Sequence, residues 1–246
     1  MPESRVALVT GSSSGIGAAI ARRLSHAGMR VVVNSARSEN TGKALAAELS
    51  EAVYVRGDVS DAADARRIAR TAVDAFGRLD VLVNNAGVTR FIPLDDLEAA
   101  DADTWREIFD VNVIGAWQMI TAAVPHLRES GAGSIINISS VSGSRALGSS
   151  VPYAVSKAAM NHMTRLLASQ LGPEIRVNAI APGLIDTPWY EDAEQVWESS
   201  RGWITRNAPL RRVGTPQDVA EAALHLVNAA YTTGDVLTVD GGRHVV

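Results

Sequence analysis

Seven short apolar runs, separated by segments of helical period, restrict what this chain can fold into more than any other feature. The runs span residues 5–10, 29–34, 52–56, 79–84, 134–139, 175–180 and 235–239. They are apolar on successive residues rather than alternate ones, as strands of a parallel sheet are when helices cover both faces. Helical spacing fills the intervals at 18–27, 41–50, 61–76, 103–128, 153–171 and 216–227. Strand and helix in alternation predict an α/β fold: one doubly wound parallel sheet of about seven strands with helices on both faces.

Composition narrows the function. Hydrophobic residues make up 46% of the 246 positions, enough for a packed core. The formal charge of −4 is spread without a basic block, which argues against nucleic-acid binding. With no cysteine, disulfides, thiolate catalysis and Cys-ligated metals are excluded. The histidines His26, His126, His162, His225 and His244 are too scattered to read as a metal cluster. The first strand begins near Arg5, and no apolar run nears the ~18 residues that cross a bilayer. The expectation is a cytoplasmic protein with no membrane partner, one domain over residues 1–246.

Residues 187–212 depart from the rhythm. They carry Trp189, Tyr190, Trp197 and Trp203 between the sixth strand and the last helix, where a doubly wound sheet opens its ligand crevice. Such a segment is either a helical excursion that buries its aromatics or a lid whose aromatics line a substrate pocket. The lid is the favoured reading.

Thr10-Gly11-Ser12-Ser13-Ser14-Gly15-Ile16-Gly17 follows the first strand and opens a helix. That placement favours a dinucleotide-binding turn over a Gly/Ser-rich turn without ligand, in a sheet read as Rossmann-like. Gly11 allows the tight turn, Gly15 lets backbone approach a pyrophosphate, and Gly17 permits close packing. The helix start offers unpaired N–H groups and partial positive charge. At the end of the second strand, NAD sites usually place a carboxylate for the ribose 2′-OH. Here the chain reads Asn34-Ser35-Ala36-Arg37-Ser38, with no carboxylate before Glu39. Arg37 and Ser38 suit a 2′-phosphate, so NADP (NADPH) is preferred over NAD, unless Arg37 is simply a solvated surface arginine.

Tyr153 and Lys157, one helical turn apart, share a face. Taken alone such a pair is usually a surface contact. Beside a bound nicotinamide, however, the ammonium would favour the phenolate and tune Tyr153 as proton donor or acceptor at a carbonyl or alcohol. Ser140 would hold and polarise the substrate oxygen.

These residues resemble the short-chain dehydrogenase/reductase family along essentially the whole chain. The resemblance rests on the glycine turn, Asn84-Asn85-Ala86-Gly87, Ser140, Tyr153-x-x-x-Lys157 and Asn178-Ala179-Ile180-Ala181-Pro182-Gly183. It implies a catalytic tetrad of Asn112, Ser140, Tyr153 and Lys157, with Asn112 holding a water that connects Lys157 to solvent. Lys157 and Tyr153 would also contact the nicotinamide ribose. Ser13, Ser14 and Ile16 fall within the phosphate turn. Asp58 and Val59 are similar to the adenine-contacting pair. Asn85, Ala86 and Gly87 resemble the segment lining the adenosine ribose, which also knits strand ends together. Pro182, Gly183, Ile185 and Thr187 look like the loop that orients the nicotinamide amide.

The implied activity is NADP-dependent interconversion of a ketone and a secondary alcohol. The alternatives are a 3-oxoacyl-thioester reductase (acyl carrier protein or CoA) and a dinucleotide-binding protein without catalysis. Relatives are commonly homotetramers, or homodimers. Trp105, Phe109, Val113, Ala116 and Ile120 suit either an interface or a core face. Three departures stand out. Ser14 occupies a place where many NADP-dependent relatives carry a basic residue. Pro173-Glu174 stands where ketoacyl reductases of fatty-acid synthesis often have Arg-Gly. The stretch before the last strand, residues 227–231, is short.

Overall fold

The computed structural model of the chain describes residues 4–246. Seven strands form one fully parallel sheet: β1 (Val6–Val9), β2 (Arg30–Ser35), β3 (Ala52–Arg56), β4 (Val81–Asn84), β5 (Gly133–Ile138), β6 (Ile175–Pro182) and β7 (Val236–Val239). Their spatial order is β3-β2-β1-β4-β5-β6-β7. The order reverses between β1 and β4, the switch point beyond which doubly wound sheets open a crevice at their strand C-termini.

Along β1 the side chains alternate between two cores. Ala7 and Val9 face a cluster built from α1 (Gly15–His26), α2 (Glu39–Glu48) and α8 (Pro216–Asn228). Val6 and Leu8 face a second cluster with α3 (Ala62–Phe76), α5 (Ala116–Glu129) and α6 (Val151–Leu171). Each fully buried Leu or Ile is worth about 1.5–3 kcal/mol, so both coverings stabilise the sheet. This is why the strand runs show no polar face.

α1 starts at Gly15, three residues before the expected 18, so the glycine turn runs directly into the helix's first turn. The helix expected over 103–128 is interrupted. α4 (Ala102–Phe109) passes into a π-helical turn, Asp110–Gly115, before α5 resumes. Such wide turns often mark functional sites, and this one carries Asn112.

The combined helix Ala102–Glu129 is long and apolar enough to cross a bilayer by length and composition (mean hydropathy 1.2). That corrects the expectation that no segment comes near. Its apolar residues Met119, Ile120, Ala123 and Leu127 are spent on the second core.

In 187–212, a 3-10 turn (Pro188–Tyr190) leads into α7 (Glu194–Asn207).

Candidate active site

A cleft of about 460 Å³ lies over the strand C-termini. The glycine turn forms one wall, with positive φ at Gly11 (+59°) and Gly15 (+54°). A Cβ on Gly11 would sit 2.8 Å from the Ala86 Cα, and one on Gly17 would sit 2.5 Å from Asn85 Nδ2. These two glycines therefore let the turn close on the Asn85-Ala86 segment. A Cβ on Gly15 would meet only the Thr187 side chain, at 3.5 Å. Ser14 begins α1 without a side-chain cap, and no acidic residue stands in the first turn. The positive end of the helix is thus left for an anion.

Every dinucleotide-contact candidate lines this one cleft. Ser13, Ser14, Ile16 and Gly17 stand with the turn, and Arg37 and Ser38 at the end of β2. Asp58 and Val59 follow β3, and Asn85, Ala86 and Gly87 follow β4. Pro182, Gly183, Ile185 and Thr187 follow β6.

Asn85 Nδ2 donates to the carbonyls of Thr10 and Gly11, both at 2.9 Å, which gives it a structural role as well as a place in the cleft. Asp58 Oδ1 is already taken by Ser60, from both N (2.9 Å) and Oγ (2.7 Å). Sequence reasoning missed Asn34. Its Oδ1 accepts from Gly11 N (3.3 Å), and its Nδ2 donates to the carbonyls of Val55 (3.2 Å) and Gly57 (3.0 Å). One buried amide thus ties the end of β2 to the ends of β1 and β3, at the position where attention falls on a missing carboxylate.

The Arg37 side chain is exposed and makes no hydrogen bond or ion pair among the described residues. Glu39 does not compete for it, because its carboxylate pairs with Lys43 (2.6 Å) and Arg56 (3.5 Å).

The reacting groups come from β5 and α6. Ser140 lies two residues beyond β5 and its Oγ accepts from Ser142 N (3.1 Å). Ser150 begins α6, its Oγ accepting from Tyr153 N (3.4 Å), so Tyr153 sits in the first turn and Lys157 one turn on. Lys157 Nζ donates to the carbonyl of Ile138, the last residue of β5, at 2.9 Å. It lies 5.6 Å from the Tyr153 ring centroid.

Burial pushes the Tyr153 phenol above its ordinary value. The neighbouring Tyr190 adds to the rise, and the Ser140 hydroxyl offsets it in part. Burial pushes the Lys157 ammonium down to about 8. Among the chain's own groups burial is the largest influence on the phenol, opposite in sign to the acidification expected of Lys157 beside a bound nicotinamide.

Asn112 is fully buried beneath the cleft rather than lining it. Its amide accepts from Val88 N (2.8 Å) and donates to the Val88 carbonyl (3.0 Å) and Ser156 Oγ (3.1 Å). The side chain straps the segment after Gly87 to the helix that carries Tyr153. Its three hydrogen bonds go to protein, so its side chain is engaged in holding these segments.

A smaller cavity of about 120 Å³ adjoins the cleft and shares Ser140, Tyr153, Gly183, Trp189 and Tyr190 with it. The aromatics of 187–212 divide between the two expected roles. Trp189 and Tyr190 form cavity walls, Trp189 lying 6.2 Å from the Tyr153 ring. Trp197 packs against Tyr190 (5.3 Å) in a satellite core with Leu184, Ile204, Ala208 and Val213. Trp203 carries Arg243 over its ring at 5.4 Å.

The chain belongs to the short-chain dehydrogenase/reductase family, and a family model described as enoyl-(acyl carrier protein) reductase matches residues 11–244. It is 58% identical over 245 residues to "Granaticin polyketide synthase putative ketoacyl reductase 2" of Streptomyces violaceoruber, covering 100% of this chain and 98% of that one. L-fucose dehydrogenase of Oryctolagus cuniculus is 41% identical over 248 residues, covering 98% of this chain and 85% of the relative. The solved structure of Thermoplasma acidophilum aldohexose dehydrogenase superposes with a TM-score of 0.89 at 32% identity, covering 99% of this chain and 95% of that one. Membership makes the chain an NAD(P)-dependent oxidoreductase acting on CH–OH groups. The cleft fits such a dinucleotide: Gly15, at φ +54°, brings backbone without a side chain to its wall, and the uncapped start of α1 faces it.

Proposed function

We propose that this protein is an NADP-dependent reductase that interconverts a ketone and a secondary alcohol, with Tyr153 as the proton-transferring residue. One observation carries the reading: Ser140 and Tyr153 line both the dinucleotide-sized cleft and the adjoining small cavity. A carbonyl held there touches the phenol, while its carbon faces the cleft. When bound, the dinucleotide supplies hydride for reduction or accepts it in oxidation.

The chain supplies the rest. Tyr153 Oη gives a proton to the developing alkoxide or takes one from the alcohol. Ser140 Oγ holds and polarises the oxygen. Lys157 brings positive charge over the Tyr153 ring, and Asn112 keeps the helix carrying them in register. Trp189 and Tyr190 exclude water as parts of a lid over residues 187–212.

The test is a panel of ketones and alcohols assayed with NADPH and NADH. A panel that supports no turnover with either cofactor sinks the reading.

The preference for NADP rests on Arg37, whose unpaired guanidinium stands at the rim of the cleft while Glu39 is committed to other cations. Arg37→Ala should raise the Kd of NADPH by about tenfold or more, since charge-assisted pairs are worth about 1.5–3 kcal/mol. NADH affinity should move by less than about twofold. Fluorescence titration of both cofactors measures the difference, and equal weakening removes the 2′-phosphate argument.

A second reading, reduction of a 3-oxoacyl thioester, is favoured by the name of the Streptomyces relative. Against it, Glu174 carries a carboxylate, paired with Arg128 at 3.4 Å, where carrier-protein reductases often present an arginine. Side-by-side assays of free ketones and acyl thioesters separate the two.

The assembly we propose is a homotetramer, or a homodimer, built on the face of α5 and α6. Trp117 (46% exposed), Val155 and Leu166, with Ile114 (44%) in the π turn before α5, leave apolar area uncovered there. Light scattering at micromolar concentration should return about four chains' mass, or about two for the dimer. A monomer overturns it.

A further inference from the structure

The smaller cavity holds a charge that hydride transfer does not require. Arg243 opens the 3-10 turn Arg243–Val245 beyond β7 and lines the same 120 Å³ space as Ser140 and Tyr153. It is half-buried, with its guanidinium over the Trp203 ring. That guanidinium makes no hydrogen bond or ion pair among the described residues.

The neighbouring charges do not neutralise it. Asp240 Oδ1 accepts from Gly242 N and His244 Nδ1, both at 2.9 Å, and no salt bridge joins Asp240 to Arg243. Arg145 brings like charge and donates to the backbone oxygens of His244 and Val246 (3.2 Å to Val246), tying the turn in place. Burial pushes the guanidinium of Arg243 below its ordinary value, with Tyr190 and Asp240 opposing the shift and Arg145 adding to it. A partly desolvated cation held by stacking and left without an acceptor is a costly arrangement, unless a ligand supplies one.

We propose that Arg243 is the anion-recognising residue of the substrate cavity, and that the substrate is a ketone or secondary alcohol bearing a carboxylate remote from the reacting carbon. This rests on the reductase reading above. A guanidinium presents a planar fork that matches a carboxylate in two parallel hydrogen bonds. Because Arg243 and Tyr153 wall one small cavity, a ligand anchored at the first is presented to the second. Ser142, Ser149 and Ser200 add hydroxyls to the same lining, suited to a polar substrate.

The experiment compares 4-oxopentanoate and 5-oxohexanoate with their methyl esters, by turnover and by quenching of tryptophan fluorescence in the full chain. The wild type is expected to prefer acid over ester in kcat/KM, and Arg243→Gln to lower that ratio at least tenfold. Arg243→Lys keeps the charge but not the fork and should recover part of the ratio. A residue that merely supports the fold would depress acid and ester alike, and that result overturns the proposal. So does an ester bound as tightly as its acid by the wild type.

A preference that Arg243→Gln abolishes only for an acyl-phosphopantetheine thioester overturns the carboxylate in favour of a phosphate. An oxo acid that binds through Arg243 but is never reduced sinks the reductase reading alone. Oxo acids reduced with no dependence on Arg243 sink the anion site alone.

Discussion

Tyr153→Phe is expected to lower kcat about 10³-fold while leaving the Kd of the dinucleotide within about twofold, because a positioned acid/base contributes about 10²–10⁴. The change removes one oxygen from a ring that keeps its packing against Trp189. Ser140 cannot stand in for it, because its hydroxyl is an alcohol engaged with Ser142 rather than a phenol under a cation.

The pH dependence has a definite sign. Burial raises the phenol, so among the chain's own groups Tyr153 carries its proton at neutral pH, the form that reduction requires. Lys157, lowered to about 8, is still charged there. Reduction should therefore be favoured at neutral and lower pH. Oxidation, which needs the phenolate, should gain as pH rises. Steady-state rates in both directions, with cofactor titrations on the variant, measure these effects. A variant within tenfold of wild-type turnover would remove Tyr153 from the chemistry.

The strands could be read from sequence to within two residues because burial on both faces leaves an unbroken apolar run, a local signal. The cleft could be read for a related reason: its contributors sit where strands end, and strand ends are marked by glycine, asparagine and proline. What could not be read depends on contacts distant in sequence. The π turn at Asp110–Gly115 lies inside a uniform helical pattern, and only the docking of Asn112 onto Val88 and Ser156 shows what it positions. Asn34 gave no signal, since its partners lie at the ends of two other strands. The spacing of Tyr153 and Lys157 was plain, but the direction of the phenol's shift was not. Spacing reports a neighbouring charge, whereas desolvation depends on the whole cover of the site. Arg243, 86 residues from Lys157 along the chain, carries no motif at all. The short connection at 227–231 has a structural use: Thr232 follows at once, and its carbonyl accepts from Asn178 Nδ2 (2.9 Å) and Arg176 (3.3 Å), which closes the end of α8 onto β6.

Lys157→Met should destroy turnover and yet make the protein more stable, by about 2 kcal/mol at pH 7. Burial depresses the ammonium from 10.5 to about 8, and each unit of such a shift is worth about 1.4 kcal/mol, so holding the charge inside costs about 3 kcal/mol. Methionine fills similar volume, and losing the hydrogen bond to the Ile138 carbonyl returns about 1 kcal/mol. The sign follows from the protons bound. Below pH 8 folded and unfolded chains both carry the proton, and the full penalty stands. Between 8 and 10.5 the folded chain releases it first, so the wild type gains stability relative to its unfolded state. Above 10.5 neither form is charged. The stability gap between variant and wild type should therefore be widest at neutral pH and close as pH climbs through that window. Urea unfolding of both proteins at pH 7 and pH 10 measures it. A gap that stays constant, or a variant that is less stable at pH 7, would mean that the lysine holds the fold together. A closing gap would mean that the fold bears the cost of keeping a cation where the phenol can use it.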